Sequence, residues 1–242
     1  MKRILSVLIL VLIAGYMIFT LFLMPDKEED AFCRDLFIVI KDSTDRQFLN
    51  EKDILSLLKN ANLNPVSQPF SKINTNTIRE KIVENELVAT ANVFKTPSGK
   101  IKIEITQKMP ILRVFSAQGS YYVDDLGNTM PADYRYATYL PVASGNIEKS
   151  LATTDLYKFA LFLQKHDFWN HQIEQIYVHP DKEVELIPRV GSHRIILGNF
   201  EDFKEKMDNL QLFYEQAIPK LGWEKYEIIN LKYKKQIVCT KK

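Results

Sequence analysis

The sequence predicts an α+β protein with an N-terminal transmembrane helix, a small β-α-α-β-β domain and a larger β-rich domain with two helices. Three observations predict this. An uncharged run covers residues 4–24, strand and helix patterns alternate over residues 35–108, and strand patterns dominate residues 109–242. Aromatic residues are plentiful and glycine is scarce, so the part after the uncharged run can bury a core.

The N-terminal run is long enough to cross a bilayer as one helix. A hydrocarbon core of about 30 Å needs about 20 residues at roughly 1.5 Å per residue. A helix also satisfies its own backbone hydrogen bonds in lipid. We therefore expect residues 4–24 to span a membrane. The expected membrane-spanning residues include Ile4, Leu12, Gly15, Leu23 and Met24.

A cleavable signal peptide is the alternative interpretation of this run. Its apolar stretch usually covers about 7–15 residues and ends in a small-x-small site. Here the run is longer and ends in large residues followed by Pro25. We therefore expect an uncleaved anchor. Lys2 and Arg3 favour a cytoplasmic head of residues 1–3, with a stem of residues 25–34 on the exported side.

Composition limits the partners and the disulfides. The net charge of +2 over 242 residues is close to neutral, whereas nucleic-acid-binding proteins cluster positive charge, so we expect no nucleic-acid partner. The two cysteines are Cys33 and Cys239. An oxidising compartment would permit a disulfide, but only with Cα atoms within about 7 Å. Two free thiols are the simpler expectation, and the disulfide remains open.

The small domain begins with a strand and two helices. Residues 35–41 are rich in β-branched and aromatic residues and predict the strand. Asn50 is a good N-cap for the first helix. Asn76 or Thr77 is expected to cap the second helix.

A hairpin follows the second helix. Residues 87–95 and 100–106 predict two strands, joined by a Thr-Pro-Ser-Gly turn. Ile101, Ile103 and Ile105 alternate with polar residues, which indicates a sheet with one buried face. Both helices are expected to cover that face.

The larger domain reads as strands around two long helices. The chain is expected to close with a strand from Ile228 to Cys239. The expected helices cover residues 154–165 and 199–217, and the strands cover residues 111–116, 120–123, 173–178, 183–188, 193–197 and 228–239.

No catalytic motif stands out. The sequence lacks H-E-x-x-H, G-x-S-x-G and a P-loop. His166 and His171 are five residues apart, so they do not share a helical face. Ser192 and His193 with nearby acids could form a hydrolase fragment, but short pairs of this kind arise by chance. We therefore expect no enzyme, no metal site, no cofactor and no small-molecule substrate.

Five segments resemble one protein family in the same order along the chain. Residues 85–93 (NELVATANV) resemble the helix-to-strand passage of the POTRA module, whose element order is also β-α-α-β-β. Residues 103–110 (IEITQKMP) resemble the "I-x-V-x-E-R-x-P" exit from that module in the FtsQ/DivIB cell-division proteins. The remaining three are residues 121–131 (YYVDDLGNTMP), 140–145 (LPVASG) and 229–233 (INLKY).

The resemblance implies a bitopic scaffold of the bacterial divisome. It implies a POTRA-like domain over residues 35–108 and a β domain over residues 109–242. The implied location is the inner membrane at the division septum, with the N-terminus in the cytoplasm and the C-terminal part in the periplasm. The implied partners are the membrane and FtsB-like and FtsL-like coiled-coil division proteins. The POTRA-like domain is implied as a second docking surface, with residues 68–76 and the second helix as its candidate parts.

The last predicted strand is the expected binding segment. An edge strand offers unpaired N–H and C=O groups to another chain. Lys232 and Lys234 are expected on one face and Lys235 on the other. The residues alone leave open a solvated edge whose lysines only block aggregation. The resemblance favours partner binding and gives Lys232 and Tyr233 the largest roles. The expected partner-binding residues are Leu231, Lys232, Tyr233, Lys234, Gln236 and Val238.

Two other functions remain as alternatives. A different POTRA-containing envelope protein could chaperone or dock exported polypeptides, which favours tandem modules or a barrel-length series of strands. A membrane-anchored enzyme would need a cleft with convergent polar residues. The sequence offers neither pattern, so the scaffold is the preferred interpretation.

Overall fold

A computed structural model describes residues 11–20, 32–41, 48–132 and 140–242. Helix α1 covers residues 11–20 and contains Leu12 and Gly15. Within these ranges, no helix is both long enough and apolar enough to cross a bilayer. The other expected membrane-spanning residues, Ile4, Leu23 and Met24, lie outside the described residues.

The rest of the chain forms two compact units, of which the first extends to Thr106. Its element order is β-α-α-β-β, as predicted, with a short 3-10 turn before the second helix. Its described strands make one sheet in the order β1-β3-β2, in which β1 and β3 are parallel. The elements are β1 (Asp35–Lys41), α2 (Glu51–Asn60), the 3-10 turn (Phe70–Lys72), α3 (Thr75–Val83), β2 (Val88–Lys95) and β3 (Lys100–Gln107).

Asparagine caps begin both helices of this unit. Asn50 is the N-cap of α2, as predicted, and it also forms a capping box with Asp53, in which each side chain accepts the other residue's backbone N–H. The prediction that Asn76 or Thr77 caps the second helix is wrong. Asn74 is the cap, because its side-chain oxygen accepts the backbone N–H groups of Asn76 and Thr77 at 3.0 and 3.3 Å.

The alternation predicted for β3 is confirmed. Ile101, Ile103 and Ile105 are fully buried, and the lysines and glutamate between them lie on the other face. The two helices contribute buried residues to the core of this unit, namely Ile54 and Leu58 from α2 and Ile78 and Ile82 from α3.

The second unit is one mixed sheet with helices. In the described residues, its strand order is β12-β11-β10-β9-β8-β7-β4-β5-β6. The elements are β4 (Pro110–Ser116), β5 (Gly119–Asp124), β6 (Thr129–Pro131), β7 (Val142–Gly145), α4 (Lys149–Ala152), α5 (Asp155–Lys165), α6 (Asp167–Gln172), β8 (Ile173–Val178), β9 (Val184–Pro188), β10 (Arg194–Gly198), α7 (Phe203–Gln216), α8 (Ile218–Leu221), β11 (Tyr226–Asn230) and β12 (Val238–Lys241).

The two long helices lie in the connections between pairs of parallel neighbouring strands. The segment α4–α6 joins β7 to its parallel neighbour β8, and the segment α7–α8 joins β10 to its parallel neighbour β11. Parallel neighbours require such long connections. The second crossover brings β11 beside β10, and β12 then turns back along β11 at the margin of the sheet.

The two long helices predicted from the sequence are present as α5 and α7. The described part of the second unit also contains three short helices that the sequence did not predict. The short helices α4, α6 and α8 span four to six residues each and are too brief to show a helical period. Helix α7 starts at Phe203 because Asp202 before it adopts a left-handed conformation with φ of 51°.

A candidate partner-binding edge

The strand expected over residues 228–239 does not exist as one element. The segment forms two antiparallel strands, β11 and β12, joined by residues 231–237. Lys235 has φ of 60° in this connection, and the Gln236 N–H donates to the Tyr233 carbonyl at 3.2 Å. A turn of this kind ends the alternation, so the prediction of opposite faces for Lys234 and Lys235 is also wrong.

Strand β12 lies at one margin of the sheet. In the part of the chain that the structure describes, β11 is its only strand neighbour. Along an antiparallel edge strand, alternate residues direct both backbone groups away from the neighbour. The open side of β12 therefore presents N–H and C=O groups that another strand could pair with.

The expected binding residues occupy three different environments. Leu231 is 3% exposed and belongs to the core, and its N–H donates to the Ile196 carbonyl at 2.9 Å. Val238 begins β12. The other four lie in the connection between β11 and β12, namely Lys232, Tyr233, Lys234 and Gln236.

Lys232 anchors the connection to the sheet. Its ammonium group lies 2.7 Å from the Glu183 carboxylate, which raises the pKa of Lys232. Its aliphatic stem lies over Gly198, where a Cβ would stand only 2.8 Å from the lysine Cγ. Gly198 therefore leaves room for the Lys232 stem to lie against the backbone.

A second anchor holds the other end of β12. The Lys242 ammonium group donates to Ser192 Oγ at 2.6 Å and pairs with Glu224. Ser192 Oγ also donates to Glu224 at 2.7 Å. The lysine, followed by the serine, lowers the pKa of Glu224. Sequence reasoning missed this cluster because its members are 18 to 50 residues apart.

His193 lies next to this second anchor and does not act as a general base for Ser192. Its Nε2 is 2.6 Å from the Tyr214 hydroxyl, and its ring stacks on Trp223 with centroids 6.0 Å apart. Burial lowers the pKa of His193, against the nearby charge of Glu224. The Ser192 hydroxyl is already paired with other groups, so the two residues do not form a nucleophile–base pair.

Two family models match the chain. A model described as "FtsQ/DivIB, C-terminal related" matches residues 109–240, which is more than half of the chain.

The chain belongs to the FtsQ/DivIB family.

A second model, for a POTRA-like domain, matches residues 31–106. Both models describe non-catalytic scaffold domains, and the FtsQ/DivIB match implies a bacterial membrane protein of the division site. No match was found among curated proteins.

The surface beside β12 in this FtsQ/DivIB protein is partly apolar. The side chains of Tyr233 and Val238 are 54% and 44% exposed, although exposing apolar surface to water is unfavourable. A cavity of about 180 Å³ separates the connection from α7. Lys234 lies 3.6 Å from Asp202 across it, and this pair is strongly exposed.

The two cysteines and the first unit bear on the other predicted sites. Cys33 is buried and Cys239 is half-buried on β12, and both are free thiols. No three His, Cys, Asp or Glu side chains converge as a metal site among the residues described. Residues 68–76, implied as a second docking surface, contribute to a groove of about 230 Å³ in the first unit.

Proposed function

We propose that this protein is a single-pass membrane scaffold of the bacterial divisome and performs no catalysis. It holds FtsB-like and FtsL-like coiled-coil proteins at the septum through its exported part. Membership of the FtsQ/DivIB family supports the division role. The match over residues 109–240 favours the divisome over an envelope chaperone, because a POTRA-like module alone suits both.

The membrane part of the proposal comes from the sequence. Residues 4–24 span the inner membrane, and residues 1–3 stay in the cytoplasm. Residues 25–34 form a stem that leads to the POTRA-like domain over residues 35–108 and the β domain over residues 109–242.

The open edge of β12 is the observation that carries the partner-binding part. A partner segment adds to the sheet as a further strand and gains main-chain hydrogen bonds from β12. Tyr233 and Val238 supply exposed apolar contacts beside it. Lys234 supplies a positive charge that favours acidic partner residues. Leu231 and Lys232 act by holding the connection in place.

Proline substitutions in β12 test this proposal. Thr240 and Lys241 are both exposed, so changing them removes little packing. One of these two successive residues directs its N–H outward, and proline removes that donor. We expect at least one of Thr240→Pro and Lys241→Pro to abolish co-purification of the coiled-coil partners with the tagged full-length chain. Thr240→Val keeps the donor and serves as the matched control.

The two kinds of variant distinguish a partner that pairs with the β12 backbone from one that only contacts side chains near β12. Retention of the partners by Thr240→Val and their loss with a proline variant would support strand addition. Tryptophan fluorescence of each variant checks that the second unit is folded, since Trp169 and Trp223 both lie in it. Wild-type recovery of the partners by both proline variants would remove β12 from the account.

A further inference from the structure

A groove between α5 and α7 lies away from β12. Lys158, Leu161, Phe162 and Lys165 face it from α5. Their spacing of i, i+3, i+4 and i+7 places them in one stripe along the helix. Phe203 of α7 closes the other side, and the groove encloses about 560 Å³.

The floor of the groove is apolar and fixed. The Phe162 and Phe203 rings meet edge to face with centroids 5.3 Å apart. Phe159, fully buried beneath them, lies 5.4 Å from Phe203 and 6.4 Å from Phe162. The His166 ring lies 4.1 Å from that of Phe162. Contacts on several sides keep these rings from closing the groove, which matters because a docking surface must exist before its partner arrives.

The rim of the groove is positively charged. Lys158, Lys165 and Lys204 line it, and Asp208 is the single carboxylate among the described lining residues. Lys158 already pairs with Asp155 at 3.3 Å. Over residues 107–132 and 140–242, neither Lys165 nor Lys204 has a carboxylate within ion-pair distance. Two lysines therefore remain free to meet an external negative charge beside an apolar floor.

We propose that the groove between α5 and α7 binds an acidic amphipathic helix supplied by another protein. The stripe on α5 is about 10 Å long, the length of two helical turns. A helix laid into the groove would place its apolar side on Leu161, Phe162 and Phe203. Acidic residues flanking that side would reach Lys165 and Lys204. This binding mode buries a helix in a groove and does not use the β12 edge.

A synthetic helix tests the proposal directly. The probe is a fluorescein-labelled peptide of about 18 residues, long enough to form a helix, with a leucine stripe, glutamate flanks and alanine elsewhere. A second peptide carries lysine in place of each glutamate. Fluorescence anisotropy measures binding to the full-length chain in nanodiscs of uncharged lipid, with empty nanodiscs subtracted.

Charge reversal at the rim identifies the binding surface. The double variant Lys165→Glu and Lys204→Glu should weaken acidic-peptide binding by roughly tenfold, because two attractions become repulsions. The same variant should bind the lysine peptide more tightly than the wild type does. Lys149→Glu with Lys220→Glu makes the same net charge change at exposed positions outside the groove. This control should leave acidic-peptide binding unchanged.

Leu161→Gln tests the apolar floor without changing charge, and we expect it to weaken the acidic peptide as well. The proposal is overturned if the acidic peptide does not bind, or if both double variants bind it equally. It is also overturned if the groove reversal spares peptide binding but abolishes binding to phosphatidylglycerol vesicles, which would assign the groove to a lipid surface. Loss of a wild-type dimer in the groove variant, with unchanged peptide binding, would assign it to a second copy of the chain.

Discussion

Gly145 allows β7 to end against β8, and alanine in its place should destabilise the second unit. The residue has φ of 103°, and a Cβ built there would stand 2.1 Å from the Val178 carbonyl oxygen. That oxygen accepts the N–H of Asn146 at 2.8 Å. The sequence alone did not predict this steric role, because Gly145 stood out only as the last residue of the LPVASG segment.

Two effects lower the free energy of unfolding when alanine replaces Gly145. A left-handed conformation costs a residue with a Cβ about 1–2 kcal/mol. The Val178 carbonyl must also retreat by roughly 1.3 Å to reach ordinary contact, which breaks the bond to Asn146 at a cost of about 1 kcal/mol. Gly145→Ala should therefore lower the free energy of unfolding by about 2–3 kcal/mol, a large share of the stability of a typical domain.

Gly119 provides the matched control. It has φ of 120°, yet nothing lies within 4 Å of the position of its Cβ. Gly119→Ala should therefore cost only the conformational part, about 1–2 kcal/mol. Urea unfolding followed by tryptophan fluorescence reports on the second unit, which contains both tryptophans. Equal losses for the two variants would refute the steric reasoning at Gly145.

Three further outcomes follow from the anchors and the core near β12. Leu231→Ala should destabilise the second unit by about 2–5 kcal/mol in the same urea assay, and a loss below about 1 kcal/mol would contradict its core position. Because burial lowers the pKa of His193, the unfolded chain binds its proton more readily, so His193 costs stability as the pH falls below 6.5. His193→Gln should flatten the stability profile between about pH 7.5 and 5.5, and an unchanged slope would count against this. Lys242→Ala should remove the contacts of Lys242 with Ser192 and Glu224 and so speed amide exchange in β12. Unchanged exchange would show that these contacts do not stabilise β12.

Strong local patterns made the first unit predictable. The alternation of Ile101, Ile103 and Ile105 and the cap at Asn50 each depend on residues within a few positions of one another. The choice of Asn74 over its neighbours as the second cap depended on backbone geometry, which residue type alone does not reveal.

The turn after β11 could not be read from the sequence. Residues 231–237 contain neither glycine nor proline, and Lys235 takes the left-handed conformation although lysine does not favour it. Leu231 is directed into the core by its bond to Ile196, and Lys232 is held by Glu183, 49 residues away. Contacts at this separation leave no local periodicity to detect.

The edge strands of the larger sheet could not be predicted from the sequence for a related reason. Strands β6 and β12 contain three and four residues, too few to show an alternation. The expectation that the C-terminal segment reaches a sheet edge nevertheless agrees with the position of β12, although its residues differ from the ones expected.

Amide hydrogen exchange in β12 is the most direct test of strand addition. The full-length chain would be compared with and without its bound coiled-coil partner. The account predicts that outward-directed amides of Val238–Lys241 become protected on binding, while those of β6 at the opposite margin do not change. Exchange in β12 that stays the same with the partner fully bound would contradict the account.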